Sequence, residues 1–259
     1  APPPGYALAS SARARVKGGT LAASVYRKDD GSERLYVTLA GRRGTRTLHL
    51  ELGGAARLEL ASVHDRGDLP DLFGDGSRVV AYRSVLPALS ESTLLVFRYA
   101  SGRLTLAGRV PGGRFKDVDG DGRPEVVGRE RPLGALFSIG CRSFHAMAQS
   151  AWRTDVYALA GGRLVKASAR YRPFFDARIA RTRAEVSAVD ARSTDDYGGF
   201  LGKTLSLYFD YAESGRAREG WREFEALYPV RASDPAPVKK CLRQMEATLK
   251  DRLAIPADW

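Results

Sequence analysis

The first two-thirds of the chain is a succession of short alternating segments, and that succession limits the fold more than any other feature. "TLAASVYRK", "ERLYVTLAG", "TRTLHLEL", "ARLELASV", "SRVVAYR", "STLLVFRYA" and "RLTLAGRV" set apolar against polar residues, with Gly, Asp or Ser between segments. Alternation gives each segment one apolar face as a strand, and turns this short join antiparallel neighbours. A parallel sheet would need a crossover of a dozen or more residues between strands. A phrase also recurs: "VYRKDDGSERL" from Val25, "VFRYASGRLTL" from Val96 and "VYALAGGRLVK" from Val156. Each is a Val-aromatic strand, a turn with Gly and an apolar return strand, the repetition expected of blades or arrays.

After about Tyr171 the period lengthens. Phe174, Phe175, Ile179, Val186 and Val189 recur at helical spacing. "GFLGKTLSLYFDYAESGRAREGWREFEALYP" reads as two helices joined at "ESGR", with Leu205, Tyr208 and Phe209 facing Trp221, Phe224 and Leu227. That segment resembles one tetratricopeptide-like hairpin. In the last helix Asp234 suits the N-cap and Pro235 the first turn; Val238, Leu242, Met245, Leu249 and Leu253 form one apolar stripe. The expected fold is α+β. Antiparallel β blades, as a partial propeller or an open sandwich, occupy residues 1–171, and a C-terminal α-helical region follows over 172–259.

With 259 residues, 44% of them hydrophobic, the chain can bury a sizeable core, and 27% charged residues are ordinary for a folded protein. No apolar run reaches the roughly 18–20 residues of a spanning helix. The chain opens on "APPPGYALAS", small residues and a proline cluster without a methionine, which is what signal-peptidase cleavage leaves. Export to a periplasmic or extracellular space is the expectation. Cys141 and Cys241 are the two cysteines; they suit one disulfide in such a space, or two buried thiols. The net charge of +11 implies attraction to polyanions. Its densest groups, "RRGTR" (Arg42, Arg43, Arg46) and "ARIARTRAE" (Arg178, Arg181, Arg183), lack interleaved aromatics, which argues against nucleic acid as the partner.

"FKDVDGDGRPEVVG", residues 115–128, gathers Asp117, Asp119, Asp121 and Glu125 around Gly120 and Gly122. Counted from Asp117, acidic residues fall at positions 1, 3, 5 and 9, and the Arg123 carbonyl stands at 7. Alternate positions converge when the backbone curls, and the glycines permit the curl. An oxygen-only set suits a hard cation, and six to eight oxygens at about 2.3–2.6 Å is the habit of Ca2+. Zinc would call for His or Cys, and the loop has neither. An EF-hand shares this opening and the glycine at position 6, but needs a bidentate Glu at position 12, where Gly128 stands. "GRVPGG" before the loop and Pro124 after it are not helical, so the site is strand-loop-strand.

With the preceding hairpin, Leu94 to Gly128, the loop resembles the FG-GAP or VCBS repeat family, calcium-loop β-propeller modules of integrin-type and bacterial exported proteins. The resemblance implies Asp117, Asp119, Asp121 and Glu125 as side-chain ligands and Arg123 as a backbone ligand. The family more often carries Asp where Glu125 stands. "SVHDRGDLPDLFGDG" looks like a decayed copy; aligning "LPDL" with "RPEV" puts Asp65 and Asp71 in ligand places and Val63 where the first Asp belongs.

Catalytic patterns fail on inspection. "GGFLGKT" mimics a phosphate-binding loop, but Tyr197 stands where its first glycine should be and no apolar strand precedes it. His49 reads as a strand-face residue and His64 lies beside the decayed loop. Cys141 and His145 are four apart without a third orienting group, so a structural cysteine is preferred. Asp195 and Asp196 are adjacent and diverge on any regular element. The expected function is a non-catalytic, calcium-stabilised exported module that binds another protein or an envelope polymer. The alternative is a secreted hydrolase of an anionic or glycan substrate with a structural calcium near its cleft.

Overall fold

Among the described residues every strand precedes the first helix. The structure is a computed structural model; it describes residues 3–54, 56–61, 68–86, 91–134, 138–141, 144–147, 151–189, 197–228 and 230–259, with backbone alone at 138–141, 144–147 and 197–199. The chain divides into two units: Ala1–Gly128 with Val156–Lys166, and Arg129–Asp155 with Ala167–Trp259.

In the first unit β1 (Ala7–Val16), β2 (Gly19–Arg27), β3 (Glu33–Gly41) and β4 (Gly44–Leu52) form an antiparallel meander, the first sheet. β5 (Arg57–Leu60), β6 (Arg78–Leu86), β7 (Glu91–Ala100) and β8 (Arg103–Pro111) make the second in the same way. β9 (Arg114–Lys116), β10 (Glu125–Glu130), β13 (Arg153–Ala160) and β14 (Arg163–Lys166) make the third. A two-stranded hairpin of β11 (Ser138–Cys141) and β12 (Phe144–Met147) lies between β10 and β13 in sequence. The three larger sheets are open, and the expected blade-like α+β class is what the strands and helices form.

The repeated phrase has a structural meaning in two of its three copies. Val96 and Val156 lie on the third strand of their sheets, each followed by a two-residue hairpin turn. The turn pairs are Ser101–Gly102, with φ of 49° and 78°, and Gly161–Gly162, with φ of 56° and 78°. Positive φ at both central residues is the twist that matches antiparallel strands. Val25 lies instead on the second strand of its sheet, ahead of a longer turn.

β6 explains why "VVAY" does not alternate. Val80 and Tyr82 pack with Leu95, Phe97 and Tyr99 of β7 against Leu21, Ala23, Val25, Leu35 and Val37 of the first sheet. Val79 and Ala81 turn the other way and pack with Leu94, Val96 and Val110 against Val126 of β10. The second sheet is therefore buried on both faces, and a strand so placed reads as a continuous apolar run. Fully burying a Leu or Val stabilises by about 1.5–3 kcal/mol, so these two layers dominate the unit. Gly108 of β8 makes a close approach possible: a Cβ there would lie 2.8 Å from Leu164 of β14.

In the second unit a 3-10 turn (Ser168–Tyr171) leads into α1 (Arg172–Ser187), followed by α2 (Tyr197–Glu213), α3 (Ala217–Leu227) and α4 (Ala236–Arg252). α1 buries Phe175, Ile179 and Val186, and α4 buries Cys241, Leu242, Met245 and Leu249. The α2–α3 hairpin packs Tyr208 edge-on against Trp221, ring centroids 5.8 Å apart, and stacks Trp221 on Phe224 at 5.0 Å. Gly220 lets the helices meet, since a Cβ there would stand 2.4 Å from the Tyr211 Cβ. α1 is tied to α2 by Arg178, whose Nε donates to both Asp210 oxygens at 3.0 and 3.1 Å. Burial pushes the Asp210 carboxyl up to about 6 against the pull of Arg178. Asp234 accepts the Arg231 N–H at 2.6 Å and closes the turn ahead of α4, whose N-cap is Pro235.

Candidate metal site

The loop between β9 and β10 is built by its own carboxylates. Asp117 Oδ1 accepts the Gly120 N–H at 2.7 Å and Oδ2 accepts the Gly122 N–H at 2.9 Å. Gly120 and Gly122 have φ of 80° and 82°, a conformation that a side chain would strain. Asp119 Oδ1 accepts the Asp121 N–H at 3.2 Å, and Asp121 Oδ1 accepts the Arg123 N–H at 2.7 Å. Glu125 begins β10, is 7% exposed, and accepts the Val118 N–H at 3.0 Å.

Asp117, Asp119 and Glu125 each bring a carboxylate oxygen within 4.8 Å of the other two. No other such group occurs among the described residues. Asp121 stands outside the trio, and Arg123 is engaged through its N–H. At that spacing each carboxylate pair repels by about 1 kcal/mol in water and about 3–4 kcal/mol at an effective dielectric near 20. A cation among them reverses the sign. The donors are oxygen alone, and an oxygen that takes one N–H keeps a second lone pair for an ion, so the residues fit a hard divalent cation.

A turn with like hydrogen bonds precedes β6 of the second sheet, in a register different from the one the sequence suggests. Asp71 Oδ1 accepts the Gly74 N–H at 2.9 Å and Oδ2 accepts the Gly76 N–H at 2.6 Å. Asp75 Oδ1 accepts the Ser77 N–H at 3.0 Å, as Asp121 accepts from Arg123. Gly74 and Gly76 have φ of 68° and 78°. The Val79 N–H donates to the Pro70 carbonyl at 2.9 Å, as β10 pairs Glu125 with Lys116. "DLFGDGSRV" thus superposes on "DVDGDGRPE". Asp71 corresponds to Asp117 rather than to Glu125, and Val63, His64 and Asp65 lie outside the described residues. The places of Asp119 and Glu125 hold Phe73 and Val79.

This second loop carries its own cation. Arg98 of β7 donates through Nη2 to Asp75 Oδ2, and its guanidinium lies 5.6 Å from the Phe73 ring centroid. Hydrogen bonding from Ser77 first, and then Arg98, holds the Asp75 carboxyl down to about 2. Counted from the two-residue turns, Arg98 pairs with Thr105 where Ala158 pairs with Val165, so the third sheet has alanine in the arginine's place.

The remaining candidates are accounted for by packing. His49 is half-buried, with Nε2 3.3 Å from the Tyr82 hydroxyl, which donates to Glu51 at 2.9 Å. Burial first, and then Glu51, pushes the Tyr82 hydroxyl upward. "GGFLGKT" forms the first turns of α2 and not a phosphate-cradling loop. Cys241 is disulfide-bonded, and Cys141 is the chain's other cysteine. β11 pairs Gly140 with His145. Asp195 and Asp196 lie outside the described residues.

No family model, curated protein or solved structure matches the chain. No helix among the described residues is long and apolar enough to cross a membrane.

Proposed function

We propose that this chain is a non-catalytic, calcium-stabilised binding module of an exported protein, with a β unit of the FG-GAP or VCBS kind. Its partner is another protein or an envelope polymer. The observation that supports the reading is the convergence of Asp117, Asp119 and Glu125 on a loop whose twin is neutralised by an arginine. When bound, the ion supplies positive charge among Asp117, Asp119 and Glu125. Because Glu125 opens β10, that charge ties the loop to the third sheet, and its binding energy becomes folding energy.

Thermal melts with calcium, magnesium or chelator test this, alongside Asp119→Ala. Calcium at a hundred times its dissociation constant adds about 2.7 kcal/mol. For a domain of this size that is about 5–10 °C. Magnesium gives a smaller rise, and Asp119→Ala abolishes the calcium gain. Equal melts in all three conditions would sink the proposal.

A further inference from the structure

One end of the first unit is basic and unpaired. The β1–β2 and β3–β4 turns line an open recess of about 840 Å³, with Gly18, Gly19, Gly41, Gly44 and Leu39 among its walls. The β1–β2 turn also lines a second recess of about 820 Å³, with residues 75–78 and the β7–β8 turn. Arg46 donates to the Gly102 carbonyl at 3.2 Å and joins the rims of the two. Arg15, Lys17, Arg42, Arg43, Arg46 and Arg103 are exposed on or beside these rims. None of the six forms an ion pair among the described residues. The acidic side chain in the lining is Asp75, which Arg98 already neutralises.

The opposite end of the same sheets is different. There Arg27 pairs with Glu33, Lys28 with Asp30, and Arg57 and Arg83 with Glu59. Arg34 and Arg109 lack acids there too, but only at the turn end do such cations cluster around open recesses, a field directed at an anionic partner. Guanidinium groups bind sulfate, phosphate and carboxylate through paired N–H donors.

We infer that this end of the first and second sheets binds an anionic polysaccharide chain. A nucleic-acid strand would use exposed aromatics for stacking, and the aromatic in the lining, Tyr99, is 4% exposed. A membrane surface would favour apolar residues at the turn tips, which are Lys17–Gly18, Arg42–Arg43 and Ser101–Gly102. A folded protein partner would favour an aromatic or apolar centre, and these walls are largely glycine and arginine. A flexible chain with repeated charges matches cations spread over two adjoining recesses. The inference rests on the reading of the β unit as a binding module, but not on calcium.

The test is titration of the full chain with dextran sulfate at about 50 and 200 mM NaCl, in calcium and in chelator. Arg42→Glu/Arg43→Glu/Arg46→Glu is compared with Arg218→Glu/Arg222→Glu/Arg243→Glu, which makes the same charge change on exposed helix positions of the second unit. The turn variant should lose about a hundredfold in affinity and flatten the salt dependence, whereas the helix variant should lose less than about threefold. Circular dichroism checks that both remain folded, and Arg→Gln versions of the turn variant give the milder step. Equal losses in the two variants would reduce the effect to net charge and overturn the inference. So would tighter binding to phosphatidylglycerol vesicles or duplex DNA, or binding to uncharged dextran as strong as to its sulfate. Failure here with a calcium-dependent melt intact would leave the metal reading standing, and the converse also holds.

Discussion

Phe73 and Asp119 occupy one place in two loops whose first aspartate takes the same pair of glycine N–H bonds, and Arg98 and Ala158 occupy one place in the strands that follow. In the second sheet Phe73 and Val79 stand where Asp119 and Glu125 do, and Arg98 pairs with Asp75. In the third the places hold Asp119 and Glu125, and Ala158 stands where Arg98 does. The loop geometry itself is set by the first aspartate and the two glycines, which both copies retain. What varies is the charge to be balanced: Asp75 takes an arginine, while three converging carboxylates could hold a divalent ion.

Exchanging these features gives the largest effect. Asp119→Phe and Glu125→Val together with Ala158→Arg should make the third-sheet loop behave as its twin. The calcium gain of about 5–10 °C then vanishes, with the melting temperature in chelator within about 2 °C of the parent's. A gain that survives the exchange would place the ion elsewhere.

A smaller effect sharpens the other half. Arg98→Ala leaves Asp75 without its cation, and both side chains are partly exposed, so solvent screening keeps the loss to about 1 kcal/mol. In melts that loss should be equal with calcium and with chelator. A calcium-dependent loss would mean that the two loops are coupled rather than independent.

The smallest effect is a pH dependence. Because the Asp75 carboxyl is held at about 2, its contribution is present above the ordinary carboxylate range and is lost as pH falls from about 4 toward 2. Asp75→Asn should therefore be less stable than the parent at neutral pH by under about 1 kcal/mol, with the difference closing by about pH 2. Denaturant titrations across that interval read it directly; a difference that widened on acidification would contradict the assignment.

The strands were legible because one face of each packs, and the period of two survives wherever the other face is solvated. It failed to be informative at "VVAY", where both faces are buried. The acidic loop was legible because its chemistry lies in consecutive residues. Its twin was misaligned because Phe73 and Val79 erased the charge pattern, while Asp65 and Pro70 offered a competing match. The spacing of Gly74 and Gly76 after Asp71, identical to that of Gly120 and Gly122 after Asp117, was the signal that carried the register. Arg98 lay beyond sequence reasoning, since only strand pairing brings β7 beside that loop. The basic recesses were invisible for the same reason: "RRGTR" was read as one cluster, but Arg15, Lys17 and Arg103 join it only through the meander.

The division of the chain has a consequence for its synthesis. A nascent chain has all residues of the first and second sheets translated before any residue of the second unit exists. It cannot lay β13 beside β10 until residues 129–155 have been made, and every helix that accompanies that stretch in its unit is translated later. The first unit can thus finish while the second still lacks most of its substance, and Cys241 is translated after every strand among the described residues. Among the described residues, a message truncated just after Lys166 would encode every strand and no helix.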